Sequence, residues 1–239
     1  MHVAILLASS PVIDVIIPAY NEEDSIALVV NELPKAQVRD IIVCNNNSRD
    51  HTAERGAAAG AVVVTEKRAG YGSACLKGMQ YIEDRPQAEW PDIVVFVDGD
   101  HSDYPEQLPE LVAPILTDGV DLVIGSRALG DLEPGSMQPQ QIFGNWLATT
   151  LIKMIYGNEF TDLGPFRAIR YSALRQLEME DPDFGWTVEM QVKAAKAGMK
   201  CVEVPVRYRK RIGQSKISGT LKGTILAGHK ILWTIFKLI

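Results

Sequence analysis

The sequence predicts an α/β fold: a single three-layer α/β/α domain with a mostly parallel central sheet. Three observations carry this prediction. Short β-branched runs alternate with helical segments from Ile13 onward, the pattern of successive βαβ units. A chain of 239 residues can bury one sizeable core but is too short for two full-sized enzymatic domains. Polar, turn-forming residues follow each apolar run, where strands of such a sheet would deliver their carboxyl ends.

In order, the strand candidates are 13–17, 40–44, 61–65, 92–97 and 122–126. Helices are expected to start near Asp24, Asp50, Tyr71 and Tyr104, each with an acidic or hydroxyl residue close to its first turn. After Arg127 the alternation breaks into a Gly-, Pro- and Gln-rich connector to Gln141 that reads as a mobile loop. A helix over 142–156 follows, then a second short α/β stretch ending near Tyr208. The last segment, 218–239, reads as an amphipathic helix: Leu221, Ile225, Leu232, Ile235, Phe236 and Ile239 share one side, and Lys222, Lys230 and Lys237 recur on another. Such a helix suits an anionic membrane interface, and docking of its apolar face onto the domain is the competing reading.

Composition narrows the partners. The 24 basic and 30 acidic residues give a net charge of −6, which argues against a general nucleic-acid binder. The average hides an asymmetry, because no Asp or Glu follows Glu203 while eight Lys and Arg do. The C-terminal part therefore looks built to meet something anionic. Cys44, Cys75 and Cys201 form no C-x-x-C pair and lie in apolar surroundings, so buried thiols in a reducing compartment are expected. The first ten residues lack a basic run ahead of their apolar stretch, so no secretory leader is expected. No stretch reaches the ~20 apolar residues of a membrane-spanning helix. His51, His101 and His229 show no metal-ligand spacing.

The chemistry concentrates at the strand ends. Asp98-Gly99-Asp100 follows the run Ile93-Val94-Val95-Phe96-Val97, which delivers two carboxylates to one edge, with a glycine between them for a tight turn. Two carboxylates this close repel unless a cation sits between them, and Mg²⁺ or Mn²⁺ bridging a diphosphate would satisfy both. The simpler alternative is a solvated turn whose acids cap the helix at Pro105. Four other polar strand ends nearby favour the metal.

Taken together, the motifs resemble the family-two glycosyltransferases. Ile16-Ile17-Pro18-Ala19-Tyr20-Asn21-Glu22, the Asn-rich turn with Ser48 and Asp50, and the acidic triplet match the A-type nucleotide-sugar fold. Gly125-Ser126-Arg127, Gly164-Pro165-Phe166-Arg167 and Arg211-Ile212-Gly213-Gln214-Ser215-Lys216 look like the branch of dolichyl- and polyprenyl-phosphate sugar synthases. The resemblance implies a catalytic domain over 1–216, with a nucleotide-sugar-binding half at 12–127 and an acceptor half at 128–216, followed by the basic helix 217–239. It implies that Pro18, Tyr20, Glu22, Asn45, Asn47, Gly70, Gly72 and Asp98 hold the donor. It places Asp100 as the stronger metal ligand beside Asp98, with Mg²⁺ or Mn²⁺ as cofactor. Arg127, Arg167, Arg211, Ser215 and Lys216 fall on motifs that handle the donor diphosphate or the acceptor phosphate. Asp162 is a candidate base for a hydroxyl acceptor. Glu189 reads better as an ion-pair partner.

The implied reaction is inverting transfer of a hexose from a UDP- or GDP-linked sugar to a polyprenyl phosphate, by a cytoplasmic protein peripheral on the inner face of a membrane. Many relatives have aspartates where this chain has Asn45 and Asn46, and an amide both donates and accepts, so the base stays open. The same fold with a soluble or hydroxyl acceptor, and a sugar-nucleotide-binding protein without transfer activity, are the competing functions. Oligomeric state is not encoded in these motifs.

Overall fold

Seven apolar or amphipathic runs form strands: β1 (Ile13–Ala19), β2 (Asp40–Asn45), β3 (Val62–Thr65), β4 (Ile93–Phe96), β5 (Leu122–Ser126), β6 (Arg167–Arg170) and β7 (Cys201–Pro205). They make one sheet in the order β3-β2-β1-β4-β6-β5-β7, seen in a computed structural model that describes residues 10–213 and 221–239. The helices are α1 (Ile26–Glu32), α2 (Thr52–Ala58), α3 (Tyr71–Glu83), α4 (Leu108–Thr117), α5 (Pro139–Tyr156), α6 (Tyr171–Gln176), α7 (Trp186–Lys196) and α8 (Leu221–Lys237).

All seven residues of β1 are buried, as expected for a strand covered on both faces. Successive side chains serve opposite layers. Ile13, Val15 and Ile17 join the core beneath α1 and α4, whereas Ile16 joins Ile42, Cys44 and Phe96 in the core beneath α3, α5 and α7. The pairings are parallel except at β6, which lies antiparallel between β4 and β5, for example with Ala168 opposite Val95 on one side and Val123 on the other. This is the mostly parallel three-layer architecture expected, with one strand, Arg-Ala-Ile-Arg, that the apolar pattern does not announce.

Strand order reverses between β1 and β4, so their carboxyl ends diverge into the crevice where ligands of open α/β sheets bind. The two ends nearly touch: a Cβ on Gly99 would stand 3.3 Å from the carbonyl oxygen of Pro18.

The connector before α5 meets the chain at its start, with Glu133 N donating to Tyr208 O (2.8 Å) and Tyr208 N to Asp131 O (2.9 Å). One expectation is corrected. Cys44 and Cys75 are buried, but Cys201 is half-exposed; all three are free thiols. The final helix docks on α5 and α7, burying Thr234 and Ile235, and Tyr156 Oη donates to Ile235 O at 2.8 Å. Docking therefore accounts for one face of α8. Trp233, Phe236 and Ile239 on its other side stay exposed. Among the described residues no helix is long and apolar enough to cross a membrane.

Candidate active site

The loops after β1 and β2 are built as a pair. Asn21 and Asn47 adopt left-handed backbone (φ 54° and 62°), which asparagine tolerates better than most residues. Side chains of the second loop then satisfy the first: Ser48 Oγ accepts from Asn21 N (3.0 Å), Thr52 Oγ1 from Glu22 N (2.8 Å) and Asp50 Oδ2 from Glu23 N (3.2 Å). Asn46, buried, ties this pair to the loop before α3, accepting from Gly70 N (2.9 Å) and donating to Arg68 O (2.7 Å). Gly70, with φ 140°, and Gly72 permit close backbone approach. A Cβ on Gly72 would lie 1.9 Å from Asp181 O.

These loops and the acidic turn enclose a cleft of about 770 Å³. Pro18, Tyr20, Glu22, Asn47, Gly70, Asp98 and Asp100 line it. Asn45 and Gly72 do not. Asn45 ends β2 and its Oδ1 caps Ser48 N at 3.2 Å, while Gly72 faces the Asp181-Pro182 backbone. A second cleft of about 260 Å³ opens between the start of α5 and α8, and shares Tyr71, Asp98, Phe184 and Arg211 with the first.

The acids sit where the clefts meet. Asp98 Oδ1 accepts from Tyr71 Oη at 3.0 Å. Burial, and then the neighbouring Asp100, push its carboxyl up to about 6. Asp100 Oδ1 takes Ser102 N (2.9 Å) and Ser102 Oγ (2.5 Å), and Oδ2 takes the Arg211 guanidinium. Asp103 lies buried behind them, and neither of its carboxylate oxygens has a hydrogen-bond partner. Burial, then Asp98 and Asp100, hold it well above the usual carboxylate range. The acidic turn itself is fixed from outside: His101 has φ 63° and its Nε2 meets Glu32 Oε1 at 2.8 Å, while Arg209 bonds both Glu32 Oε2 (2.6 Å) and His101 O (2.7 Å).

The set suits a divalent cation of the Mg²⁺ or Mn²⁺ kind. Its donors are carboxylate and hydroxyl oxygens, and among the described residues no group of three acids, histidines or cysteines closes around one point. Two protein carboxylates leave coordination positions for phosphate oxygens and water, as such ions prefer.

The basic residues are held by partners within the chain. Arg127 lines the second cleft but is locked to Asp162 through Nε (2.7 Å), Nη2 (2.6 Å) and its backbone N (2.8 Å), and it stacks on the Tyr208 ring at 5.0 Å. Both Asp162 oxygens thereby accept hydrogen bonds from Arg127. Arg167 is fully buried and donates to the carbonyls of Leu163 (3.0 Å), Gly164 (3.0 Å) and Thr187 (3.0 Å). Burial brings its guanidinium down to about 10, still charged at neutral pH. It braces the 163–166 turn and lines neither cleft. Glu189 pairs with Lys193 at 2.9 Å. Ser215 and Lys216 lie outside the described residues. Sequence reasoning missed Tyr71 and Phe184 as walls of both clefts. The signal was present, since each adjoins a glycine whose missing side chain admits close neighbours: backbone at Gly70 and Gly72, the Asp181 and Thr234 side chains at Gly185.

A switch-point crevice with an acid pair, joined to a second cleft edged by arginines, defines the class: an α/β transferase of the glycosyltransferase A-type fold. The chain belongs to glycosyl transferase family 2, whose profile matches residues 14–178. It is 37% identical to a glycosyltransferase of Mycobacterium tuberculosis over 90% of this chain and 94% of that one. It is 31% identical to the undecaprenyl-phosphate mannosyltransferase of Micrococcus luteus, covering 87% of this chain and 88% of the relative. The fold matches that of glucosyl-3-phosphoglycerate synthase from Mycobacterium tuberculosis, solved with Mn²⁺, uridine diphosphate and glucosyl-3-phosphoglycerate, at a TM-score of 0.73 and 22% identity, over 96% of this chain and 80% of the other.

Proposed function

We propose that this glycosyltransferase moves a hexose from a UDP- or GDP-linked sugar to a polyprenyl phosphate, with inversion at the anomeric carbon. One observation supports the acceptor most directly: the second cleft shares Asp98 and Arg211 with the first and opens between two helices whose outer faces are apolar. Those faces expose Phe143, Trp146 and Met154 of α5 and Trp233 and Phe236 of α8, followed by Ile239. Residues 134–158 and 204–239 contain no carboxylate side chain. An apolar, acid-free rim beside a cleft lined by Arg127 and Arg211 fits a lipid-linked phosphate at an anionic bilayer, with the protein peripheral on the cytoplasmic side.

In this reading Pro18, Tyr20, Glu22, Asn47 and Gly70 receive the nucleotide, joined by Asn46, Ser48 and Tyr71. Asp98 and Asp100 hold Mg²⁺ or Mn²⁺, which neutralises charge developing on the leaving diphosphate. Arg211 supplies positive charge on the acceptor side, where Arg127 also stands in its pair with Asp162, with Ser215 and Lys216 as further acceptor-phosphate residues. A phosphate monoester loses its second proton near pH 6, so the acceptor oxygen is already ionised and no general base is needed. That fits the consumption of Asp162 by Arg127. The residues' task is then to hold two phosphorylated molecules in line.

A soluble acceptor is the second reading, and it draws support from the fold shared with glucosyl-3-phosphoglycerate synthase. The test is transfer of radiolabelled sugar from UDP and GDP donors to polyprenyl phosphate and to phosphoglycerate, each with and without Mn²⁺. Label in the lipid phase, dependent on the metal, is expected. Transfer to phosphoglycerate alone would replace the lipid acceptor.

A further inference from the structure

Asp100 is saturated. Ser102 fills one carboxylate oxygen through its amide and hydroxyl, and the Arg211 guanidinium fills the other. A cation approaching from the cleft meets an acid pair that already has its counter-charge. Arg211 faces Asp98 and Glu22 as well as Asp100, and it borders both clefts. Its backbone stays moored whatever its side chain does, because Ile212 N donates to Asp100 O (3.0 Å) and Arg209 N to Ser102 O (2.9 Å). The side chain is 29% exposed, so it has room to swing.

We propose that Arg211 is a placeholder cation: it neutralises Asp100 until the divalent ion arrives, and is then released toward the phosphates at the junction of the two clefts. The inference rests on the metal reading given above. The reason is electrostatic. Without a cation, Asp98 and Asp100 would repel at a partly buried site, and a flexible guanidinium relieves this at no cost in composition. Once the ion binds, two like charges compete for one carboxylate, so the guanidinium is repelled from Asp100. A diphosphate held nearby is the strongest acceptor within reach of a planar bidentate donor. Metal binding would thus deliver the arginine to the phosphates, and the order of events follows: cation first, full donor grip second.

The mechanism predicts effects of opposite sign from one substitution. In Arg211→Ala, Mn²⁺ should bind the nucleotide-free protein more tightly, by on the order of tenfold, the worth of one charge-assisted hydrogen bond no longer displaced. UDP binding measured at saturating Mn²⁺ should weaken by a similar factor. Loss of the free Mn²⁺ electron-paramagnetic-resonance signal reads the first, and calorimetry the second. Arg211→Gln, which keeps most of the bulk, should behave alike and guards against a packing artefact. Asp100→Asn serves as the site control and should abolish the Mn²⁺ binding. If both Arg211 variants bind Mn²⁺ as the parent does, or more weakly, while Asp100→Asn abolishes binding, the exchange is overturned and the metal site stands. If the parent and the Arg211 variants all fail to bind Mn²⁺, the metal reading falls and the exchange with it.

Discussion

Replacing Gly72 with alanine sets two principles against each other. Gly72 is the second residue of α3, and helix propensity alone predicts that alanine stabilises by about 0.8–1.0 kcal/mol. The packing predicts the reverse. The new Cβ would stand 1.9 Å from Asp181 O and 2.8 Å from the carbonyl carbon of Pro182. An ordinary carbon–oxygen contact is roughly 3.4 Å, so the 181–184 turn must retreat by ~1.5 Å. Because the obstacle is backbone, no side-chain rotation relieves it. The retreat breaks the bond from Ser73 N to Pro182 O, now 2.8 Å. Overpacking costs ~1–3 kcal/mol and the lost hydrogen bond ~1 kcal/mol, against a propensity gain of ~1 kcal/mol. The net expectation is a loss of about 1–3 kcal/mol. Guanidinium denaturation at unchanged m value measures it. Gly144→Ala in α5 is the control, because nothing lies within 4 Å of its added Cβ; it should gain up to ~1 kcal/mol. UDP affinity should fall with Gly72→Ala only if Phe184 moves with the turn. A Gly72→Ala protein as stable as the parent refutes the packing argument.

Three further outcomes follow from the site. Asp162→Asn leaves the largely buried Arg127 without its charge partner and should cost about 3–5 kcal/mol of stability; parental stability with transfer lost would restore Asp162 as a base. Asp98, raised from 3.8 to about 6, holds a proton that the unfolded chain releases, so its contribution to stability declines as pH rises through that window. The same proton competes with the cation, so Mn²⁺ affinity should climb up to about tenfold per pH unit below about 6 and level off above; calorimetry showing a flat profile contradicts this. For the proposed bilayer contact, Trp146→Ala combined with Trp233→Ala should weaken co-sedimentation with anionic vesicles by at least about tenfold, since burying each aromatic contributes about 1.5–3 kcal/mol. Unchanged co-sedimentation removes these faces from the interface.

The legible parts of the fold were those written in apolar runs. β1, β2 and β5 appear where β-branched residues cluster, because strands buried on both faces need them. β6 escaped because two of its four residues are arginines, held by pairing with β4 and β5 on either side rather than by local pattern. The acid pair could be read for the same reason as the strands, since it ends one of them. Roles that depend on who meets whom across the fold could not. Arg127 and Asp162 are 35 positions apart and find each other at 2.6 Å. Arg167 stands in a strand whose neighbours seal it from solvent, and its guanidinium meets carbonyls that no local pattern foretells. The Asn45 to Asn47 run was seen, but the direction of each side chain follows from the left-handed turn at Asn47, which sends Asn45 into the cap and Asn46 toward Gly70.

The ion pair between Lys230 and Asp181, at 2.9 Å, joins the last helix to the turn that clasps the start of α3. A chain of contacts thus runs from a face carrying exposed Trp233 and Phe236 to the lip of the nucleotide cleft. Linkage sets the rule for any traffic along it: if a surface that reorients α8 alters the grip on the nucleotide, a bound nucleotide alters the grip on that surface by the same free energy.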